Sequence, residues 1–281
     1  MLRSGALTTI LAVAAVAAGC GDDGADGTIQ ATVYGESFIE EGIPASAFSD
    51  GWAVTFDKFI VSIGDVKAQA GHGVPEVGFD GYYVVDLARP SNGRGFTLET
   101  FAVPAGTYDH YGYMVRPAAG AVDVNAGADA EALEQQGDSV RIVGSATKDD
   151  VTLTFDWGFS LAIAHAHCDV DFTIDGDEVT VQSTVHADHL FFDDAVSEDP
   201  QLAFDLIASA DGAAGAGPDG VITLNELDNI DIRTQTRYQV GSLRAPDGSE
   251  ITNLRQFLEL QVGTMGHIDG EGHCDNAATT P

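Results

Sequence analysis

Basic residues are scarce in this chain: lysine and arginine together number 12, against 44 aspartates and glutamates. The resulting net charge of -32 repels the phosphates of nucleic acids and the headgroups of anionic lipids, so both are poor partners. The same charge suits an extracytoplasmic, calcium-rich or saline setting, although a merely solvated surface explains it too.

Catalytic signatures are also missing. The sequence has no G-x-S-x-G nucleophile elbow, no phosphate-binding loop, no Rossmann fingerprint and no H-E-x-x-H motif. It has no internal repeat of fixed period either. The familiar hydrolase and nucleotide-binding classes therefore find no support in its motifs.

Long apolar runs are absent apart from one near the start. Residues 6–18 follow Arg3 and end in small residues before Cys20, which is typical of a secretory signal and too short for an ordinary spanning helix. The ending Val16-Ala17-Ala18-Gly19-Cys20 resembles a bacterial lipobox, with Ala17 where leucine is usual. The resemblance implies that residues 1–19 are removed and that Cys20 carries lipid; a plain signal peptide is the alternative.

The segment that follows is polar. Residues 20–27 form a flexible tether rich in glycine and aspartate. Gly21, directly after the cysteine, favours an outer-membrane address over an inner-membrane one.

Cysteine is rare, with three residues in all. With Cys20 used for lipid, Cys168 and Cys274 remain as an even pair in an oxidising compartment. We predict a disulfide between them that fastens the C-terminal tail to the body of the protein; thiolate metal ligation is the alternative.

Hydrophobic alternation with a period of two dominates the chain and predicts many short strands. The patterns lie at residues 54–63, 82–87, 96–101, 108–115, 151–163 and 179–185. We therefore expect a mainly β protein: an antiparallel β-sandwich or partly closed barrel over residues 28–196. Helices are predicted at 128–136 and about 199–210, the second opening a C-terminal part, residues 197–281, with a helix-loop-helix and a tethered tail.

Three segments carry a family resemblance. VTFDKFIVSIGDV from Val54, GYYVVDLARP from Gly81 and FAVPAGTYDHYGYMV from Phe101 resemble two groups of bacterial lipoprotein β-sandwiches. One is a domain of unknown function with a "PAGTY" strand, and the other is the MbnP-like, copper-associated periplasmic family. The resemblance implies the sandwich fold, and because the Trp-rich MbnP-like signature is missing, a copper role is not carried over.

Residues 211–227 resemble the second half of an EF-hand calcium loop. Asp219, Gly220, Ile222 and Glu226 fall on positions 5, 6, 8 and 12 of the twelve-residue loop. The first and third positions, residues 215 and 217, are glycines without side-chain oxygen. Asp211 is the nearest acid that could replace them.

The calcium ligands expected from this resemblance are Asp211, Asp219, the carbonyl oxygen of Val221, and Glu226. Another explanation covers the glutamate, because Thr223 and Glu226 have the spacing of a helix capping box. An acidic, glycine-rich turn between two helices also needs no ion.

Residues 174–179 read as a tight hairpin turn. In that register His167 lies opposite His186 and His165 lies opposite Asp188, close enough for imidazoles and a carboxylate to hold copper or zinc. A disulfide would draw His273 towards them.

Other histidines fit this patch less well. His189 points to the opposite face in the same register, and His267 lies in the glycine-rich tail. The alternative is that the histidines are structural, since a slip of one residue scatters the patch and a bulge is expected near residues 164–166.

The sequence thus predicts a lipid-anchored extracytoplasmic metal-binding protein of the cell envelope, without enzymatic activity, that binds calcium at the EF-like loop. The alternative is a periplasmic copper or zinc binder using the histidines, and a third is a metal-dependent hydrolase at the same patch. Expected partners are the outer membrane through the lipid, metal ions and an unidentified envelope protein, but not nucleic acid.

Overall fold

The computed structural model describes residues 24–71, 73–117, 119–215, 217–245 and 247–279. These residues fold mainly into β-strands, which form two curled sheets around a shared core, and the predicted mainly β, sandwich-like fold is confirmed. The predicted signal, Cys20 and residues 21–23 of the tether lie outside the described residues. No helix of the described part is long and apolar enough to cross a membrane.

The described residues contain thirteen strands. They are β1 (Gly27–Tyr34), β2 (Ala53–Gln69), β3 (Val77–Asp86), β4 (Phe96–Val103), β5 (Gly106–Val115), β6 (Val122–Asp123), β7 (Val140–Lys148), β8 (Val151–Phe159), β9 (Ile163–Ile174), β10 (Glu178–Val185), β11 (Val221–Ile222), β12 (Gly266–Ile268) and β13 (Asp275–Ala278).

Helices are few and short. They are α1 (Glu36–Glu40), α2 (Ala128–Gln136), α3 (Asp205–Ala208), α4 (Leu224–Leu227) and α5 (Leu254–Val262), with 3₁₀ turns at Ala187–Phe191 and Ile232–Thr234. The predicted helix at 128–136 is confirmed, and Gly137 ends it with a φ of 72°, a left-handed conformation that glycine adopts without strain.

The strands form one sheet of four and one of nine. The first has the order β12-β10-β1-β4, and the second runs β11-β8-β7-β2-β5-β9-β13, with β3 paired to β2 and β6. Most strand pairs are antiparallel, as predicted, but the sheets are mixed, because β1–β10, β3–β6 and β8–β11 are parallel pairs. Parallel partners are joined by long connections, so no local turn signal marks them in the sequence.

Strand β8 shows how the period-two pattern builds the core. Leu153, Phe155, Trp157 and Phe159 are buried, while the residues between them face outward. The same core includes residues of both sheets and the apolar side of α5, at Leu254, Phe257 and Leu258.

The predicted helix at about 199–210 is mostly wrong. Only α3 is helical there, because Leu202 forms bridges to Phe48 and Phe192 in extended backbone instead. A short apolar run fits either state by periodicity alone. The C-terminal part also contributes β11, β12 and β13 to the sheets.

Candidate metal centre

The predicted pairing of the strands on either side of residues 174–179 is wrong. Strand β9 pairs with β5 and β13, whereas β10 pairs with β1 and β12 in the other sheet. The turn between them therefore crosses from one sheet to the other. Consequently His167 does not lie opposite His186, and His165 does not lie opposite Asp188.

His165 sits in the interior as a structural side chain. It is 2% exposed, its ring stacks on Tyr113 with centroids 4.7 Å apart, and Nδ1 lies 2.7 Å from Asn276 Oδ1. An amide oxygen only accepts, so Nδ1 carries the hydrogen. Burial lowers the pKa of His165 to about 4.

His167 lies at the surface. The pairing of β5 with β9 shifts register between His165 and Cys168, which places a bulge one or two residues from the predicted one. His167 has a φ of 48° there, and its Nδ1 is 3.1 Å from Asp275 Oδ2. Its side chain is 68% exposed.

Three other histidine rings come together at the end of β10. We call His186, His189, His267 and the nearby Asp188 the histidine cluster. The ring centroids are 4.4 Å apart for His186 and His267, 5.0 Å for His189 and His267, and 5.8 Å for His186 and His189.

Backbone pairing positions the cluster. His186 follows β10, and its N–H donates to Met265 O at 2.9 Å. The 3₁₀ turn Ala187–Phe191 then carries Asp188 and His189. Strand β12 pairs antiparallel with β10, with His267 opposite Thr184, so the third ring arrives from a segment about 80 residues further along the chain.

Ligand atoms of His186, Asp188 and His189 lie close enough together to approach one ion, and His267 lies outside this group of three. One atom each from His186, Asp188 and His189 lies within 4.8 Å of the others. Ligands bound at about 2.0–2.2 Å can be at most about 4.4 Å apart, so small side-chain rotations suffice. Among the described residues, it is the group of at least three histidine, cysteine or acidic side chains whose ligand atoms all lie within 4.8 Å of one another.

Hydrogen bonds leave one nitrogen open on two of the rings. His186 Nε2 lies 3.0 Å from Gly270 O, which can only accept, so Nδ1 has the lone pair. Thr264 Oγ1 donates to Gln261 O and therefore accepts from His189 Nδ1 at 3.0 Å. Nε2 of His189 is then the open nitrogen.

His267 presents an orphaned atom. Its Nδ1 is buried and has no hydrogen-bond partner among the described residues. The residue as a whole is only 7% exposed. Buried polar atoms in proteins are almost always paired, and an exception needs an explanation such as an ion. A metal ion would supply the missing partner.

The electrostatics favour neutral rings at His189 and His267. Burial, with His186 nearby, lowers the pKa of His189 and of His267 to about 4, so neither carries a proton that a metal must displace near neutral pH. Burial raises the pKa of Asp188, although His186 opposes the change. Burial also raises the pKa of Glu36, whose Oε1 lies 3.5 Å from His186 Nε2.

The disulfide between Cys168 and Cys274 is present, with the sulfur atoms 2.04 Å apart. It joins the tail to β9 next to the cluster, and Asp169 N donates to His273 O at 2.9 Å. The ring of His273 is 5.7 Å from that of His267. The structure thus brings His273 to the edge of the cluster.

Sequence reasoning undervalued two cluster members. His186, Asp188 and His189 lie within four residues directly after a strand. This close spacing was a usable signal for a metal site that did not depend on the hairpin register. His267 had no local signal, because only the pairing of β12 with β10 brings it close.

In the EF-like loop, Asp211 lies next to Asp219 and Gly220. Asp211 Oδ1 accepts from Asp219 N at 2.9 Å and from Gly220 N at 3.2 Å, so the insert between them brings Asp211 beside the loop. The loop is anchored to the sheet, because β11 pairs with β8 and Trp157 Nε1 donates to Ile222 O at 2.8 Å.

Glu226 makes the capping box that the spacing with Thr223 allows. Oε2 accepts from Thr223 N at 2.8 Å and Thr223 Oγ1 at 2.9 Å, while Oε1 accepts from Gly212 N at 2.8 Å. Burial acts to raise the pKa of Glu226, but these hydrogen bonds together lower it. Three of the roughly four acceptor positions of this carboxylate are thereby used within the protein. Calcium binding at the loop stays a prediction.

No protein-family model matches this sequence, and neither does any curated protein or solved structure. The resemblance to the "PAGTY" and MbnP-like lipoproteins therefore stays an expectation.

Proposed function

We propose that this protein is a non-enzymatic, extracytoplasmic metal-binding protein that holds one copper or zinc ion at the histidine cluster. The observation that carries the proposal is the buried Nδ1 of His267, left without a partner beside two further imidazoles and a carboxylate.

The donor set fits these metals. Three imidazole nitrogens and one carboxylate oxygen suit zinc and copper, whereas calcium prefers six to eight oxygen ligands. His186 and His189 each donate their other ring N–H to a protein oxygen. Such outer partners orient metal-binding rings and raise their basicity.

Three features of the chain support an extracytoplasmic compartment. A disulfide persists in oxidising compartments, the signal-like start predicts export, and the charge of -32 gathers cations near the surface. Anchoring through lipid on Cys20, an outer-membrane location and an envelope partner form part of the same proposal.

Elemental analysis of protein purified without chelator tests the metal. We expect about one copper or zinc ion per chain in the unaltered protein and a loss of most of it in His186→Ala with His267→Ala. His167→Ala is the matched control, because it removes an imidazole that the structure puts outside the cluster.

Two results would contradict the proposal. One is unaltered metal content in the double variant, provided that its thermal unfolding shows it to be folded. The other is loss of metal in His167→Ala equal to that in the double variant, which would favour the hairpin register instead.

Calcium at the EF-like loop is the second candidate, favoured by the approach of Asp211 to Asp219. We expect Asp219→Asn with Glu226→Gln to lose bound calcium while keeping α4, because glutamine also serves in a capping box. Asp149→Asn, which removes a charge from an exposed turn, is the control. Unchanged calcium content in the double variant would remove the loop as the site.

A metal-dependent hydrolase at the cluster is the third possibility carried over from the sequence. A screen of esters and phosphoesters addresses it directly. Turnover that requires zinc and disappears in His186→Ala with His267→Ala would replace the non-enzymatic proposal.

A further inference from the structure

One cleft of the protein lies apart from the histidine cluster and shares none of its lining residues with it. Its volume is about 310 Å³, and its polar lining includes Asp50, Asp205, Ser209, Arg237 and Tyr238. Small-molecule pockets usually measure about 300–1,000 Å³. The cleft is therefore large enough for a small ligand only.

Two polar atoms of this lining lack partners. Asp50 Oδ1 and the hydroxyl of Tyr238 are buried, and neither has a hydrogen-bond partner among the described residues. Tyr238 as a whole is 7% exposed. Leaving a buried polar atom unpaired is costly, and more so for a charged carboxylate. These two atoms belong to residues that line one cleft, and a bound group that reached them would supply the missing partners.

The surrounding structure holds both groups in place. Asp50 Oδ2 accepts from Phe204 N at 2.6 Å and Asp205 N at 2.7 Å, which fixes the carboxylate and leaves Oδ1 unused. Tyr238 has a φ of 67°, which is unusual for a bulky residue and persists only where the neighbouring structure imposes it. Its N–H donates to Asp193 O.

Among the described residues Asp50 has no direct ion pair, although the charge of Lys148 acts on it from further away. Arg237 pairs with Asp193, and Lys148 pairs with Asp205 at 2.8 Å. Among the described residues, no basic side chain comes within 4.0 Å of Asp50. The ligand that would complete this lining is therefore a cation that donates hydrogen bonds.

We propose that the cleft binds a small organic ammonium ion, whose N–H groups donate to Asp50 Oδ1 and to the hydroxyl oxygen of Tyr238. The short chain of such an amine would lie against Ala203 and Leu206, which also line the cleft. The large negative charge of the protein raises the local concentration of cations.

The phenol distinguishes this site from a metal site. Burial raises the pKa of Tyr238, so the hydroxyl stays neutral, accepts a hydrogen bond well and is a weak ligand for a hard cation. The proposal does not depend on the histidine cluster, and EDTA in the buffer keeps the two sites apart.

The test titrates n-butylammonium into the full chain and follows the indole N–H signal of Trp52 by NMR. Trp52 Nε1 donates to Asp205 Oδ1 at 2.8 Å, so this signal reports on the cleft, and the chain has only two tryptophans. A Trp52→Phe spectrum assigns the signal. We expect a saturable shift with n-butylammonium and none with n-butanol or n-butyrate.

Two variants test the contacts. Asp50→Asn keeps an oxygen for the N–H groups of residues 204 and 205 but turns the unpaired acceptor into a donor, and we expect affinity to fall at least about tenfold. Tyr238→Phe should weaken binding severalfold without lowering thermal stability, because the hydroxyl has no hydrogen-bond partner among the described residues. Asp149→Asn, an exposed charge removal, should bind within about twofold of the unaltered protein.

Three results would overturn the proposal. The first is the absence of a saturable shift with n-butylammonium, which would leave the cleft to water. The second is an equal affinity in Asp50→Asn. The third is the same shift with n-butanol, or with calcium added in excess over the EDTA, which would show that the cleft does not select an ammonium group.

Discussion

Acidification should destabilise the metal-free protein through His165, a buried residue that is not a member of the histidine cluster. Its pKa is about 6.5 in the unfolded chain and about 4 in the folded protein. Above pH 6.5 the residue is neutral in both states and stability is fully present. Between pH 6.5 and 4 only the unfolded chain takes up the proton, so stability falls as the pH falls.

The size of the effect follows from the difference between the two pKa values. One pKa unit corresponds to about 1.36 kcal/mol, so His165 should cost about 3 kcal/mol on going from pH 7 to pH 4. The residue is 2% exposed, so solvent screens little of this cost. Most of the loss should appear between pH 6 and 4.5.

Urea denaturation in EDTA at several pH values measures the effect in the unaltered protein and in His165→Gln. The variant removes this titration but leaves the other histidines and the carboxylates, whose contributions cancel in the difference. The variant should lose about 3 kcal/mol less over the window and should keep its copper or zinc. Parallel stability curves for the two proteins, or an NMR titration of His165 near pH 6.5, would refute the reasoning.

Three further outcomes follow from the packing around the sites. Gly266→Ala would put a Cβ 2.3 Å from His165 Cε1, so we expect the free energy of unfolding in urea to fall by about 1–3 kcal/mol. Metal binding should also weaken through the adjacent His267. Gly81→Ala, whose Cβ would have its nearest neighbour 3.7 Å away, is the control. Thr223→Ala removes the capping box and should cost about 1 kcal/mol, and an unchanged urea midpoint would contradict the role of this cap. Cys168→Ser with Cys274→Ser opens a link between residues 106 positions apart and should cost about 2–4 kcal/mol of stability. Metal affinity measured by titration calorimetry should also fall, because the tail carries His273 and Gly270. Equal affinity would show that the tail holds its place without the link.

Local patterns accounted for much of the fold. The alternation over residues 151–163 predicted a half-buried strand, which the structure ends at Phe159, and the short helix at 128–136 was found within its predicted bounds. These features depend on neighbours two to four residues apart, so the sequence displays them directly.

The candidate metal centre was only half visible at that level. His186 and Asp188 lie together and His273 lies at the edge of the cluster, but His165 and His167 were placed beside them by a hairpin register that the protein does not use. A tight turn fixes register only where the two strands pair with each other, and here each strand finds a different sheet.

The sequence alone determined that this is an acidic, mainly β protein with a signal-like start, one pair of cysteines for a disulfide and enough histidine for a metal site. Composition and periodicity suffice for those properties because they arise from single residues and near neighbours. The tertiary structure decided which histidines meet. That outcome depends on β12 pairing with β10 from about 80 residues away, a long-range contact whose stability comes from the shared core and leaves no local pattern.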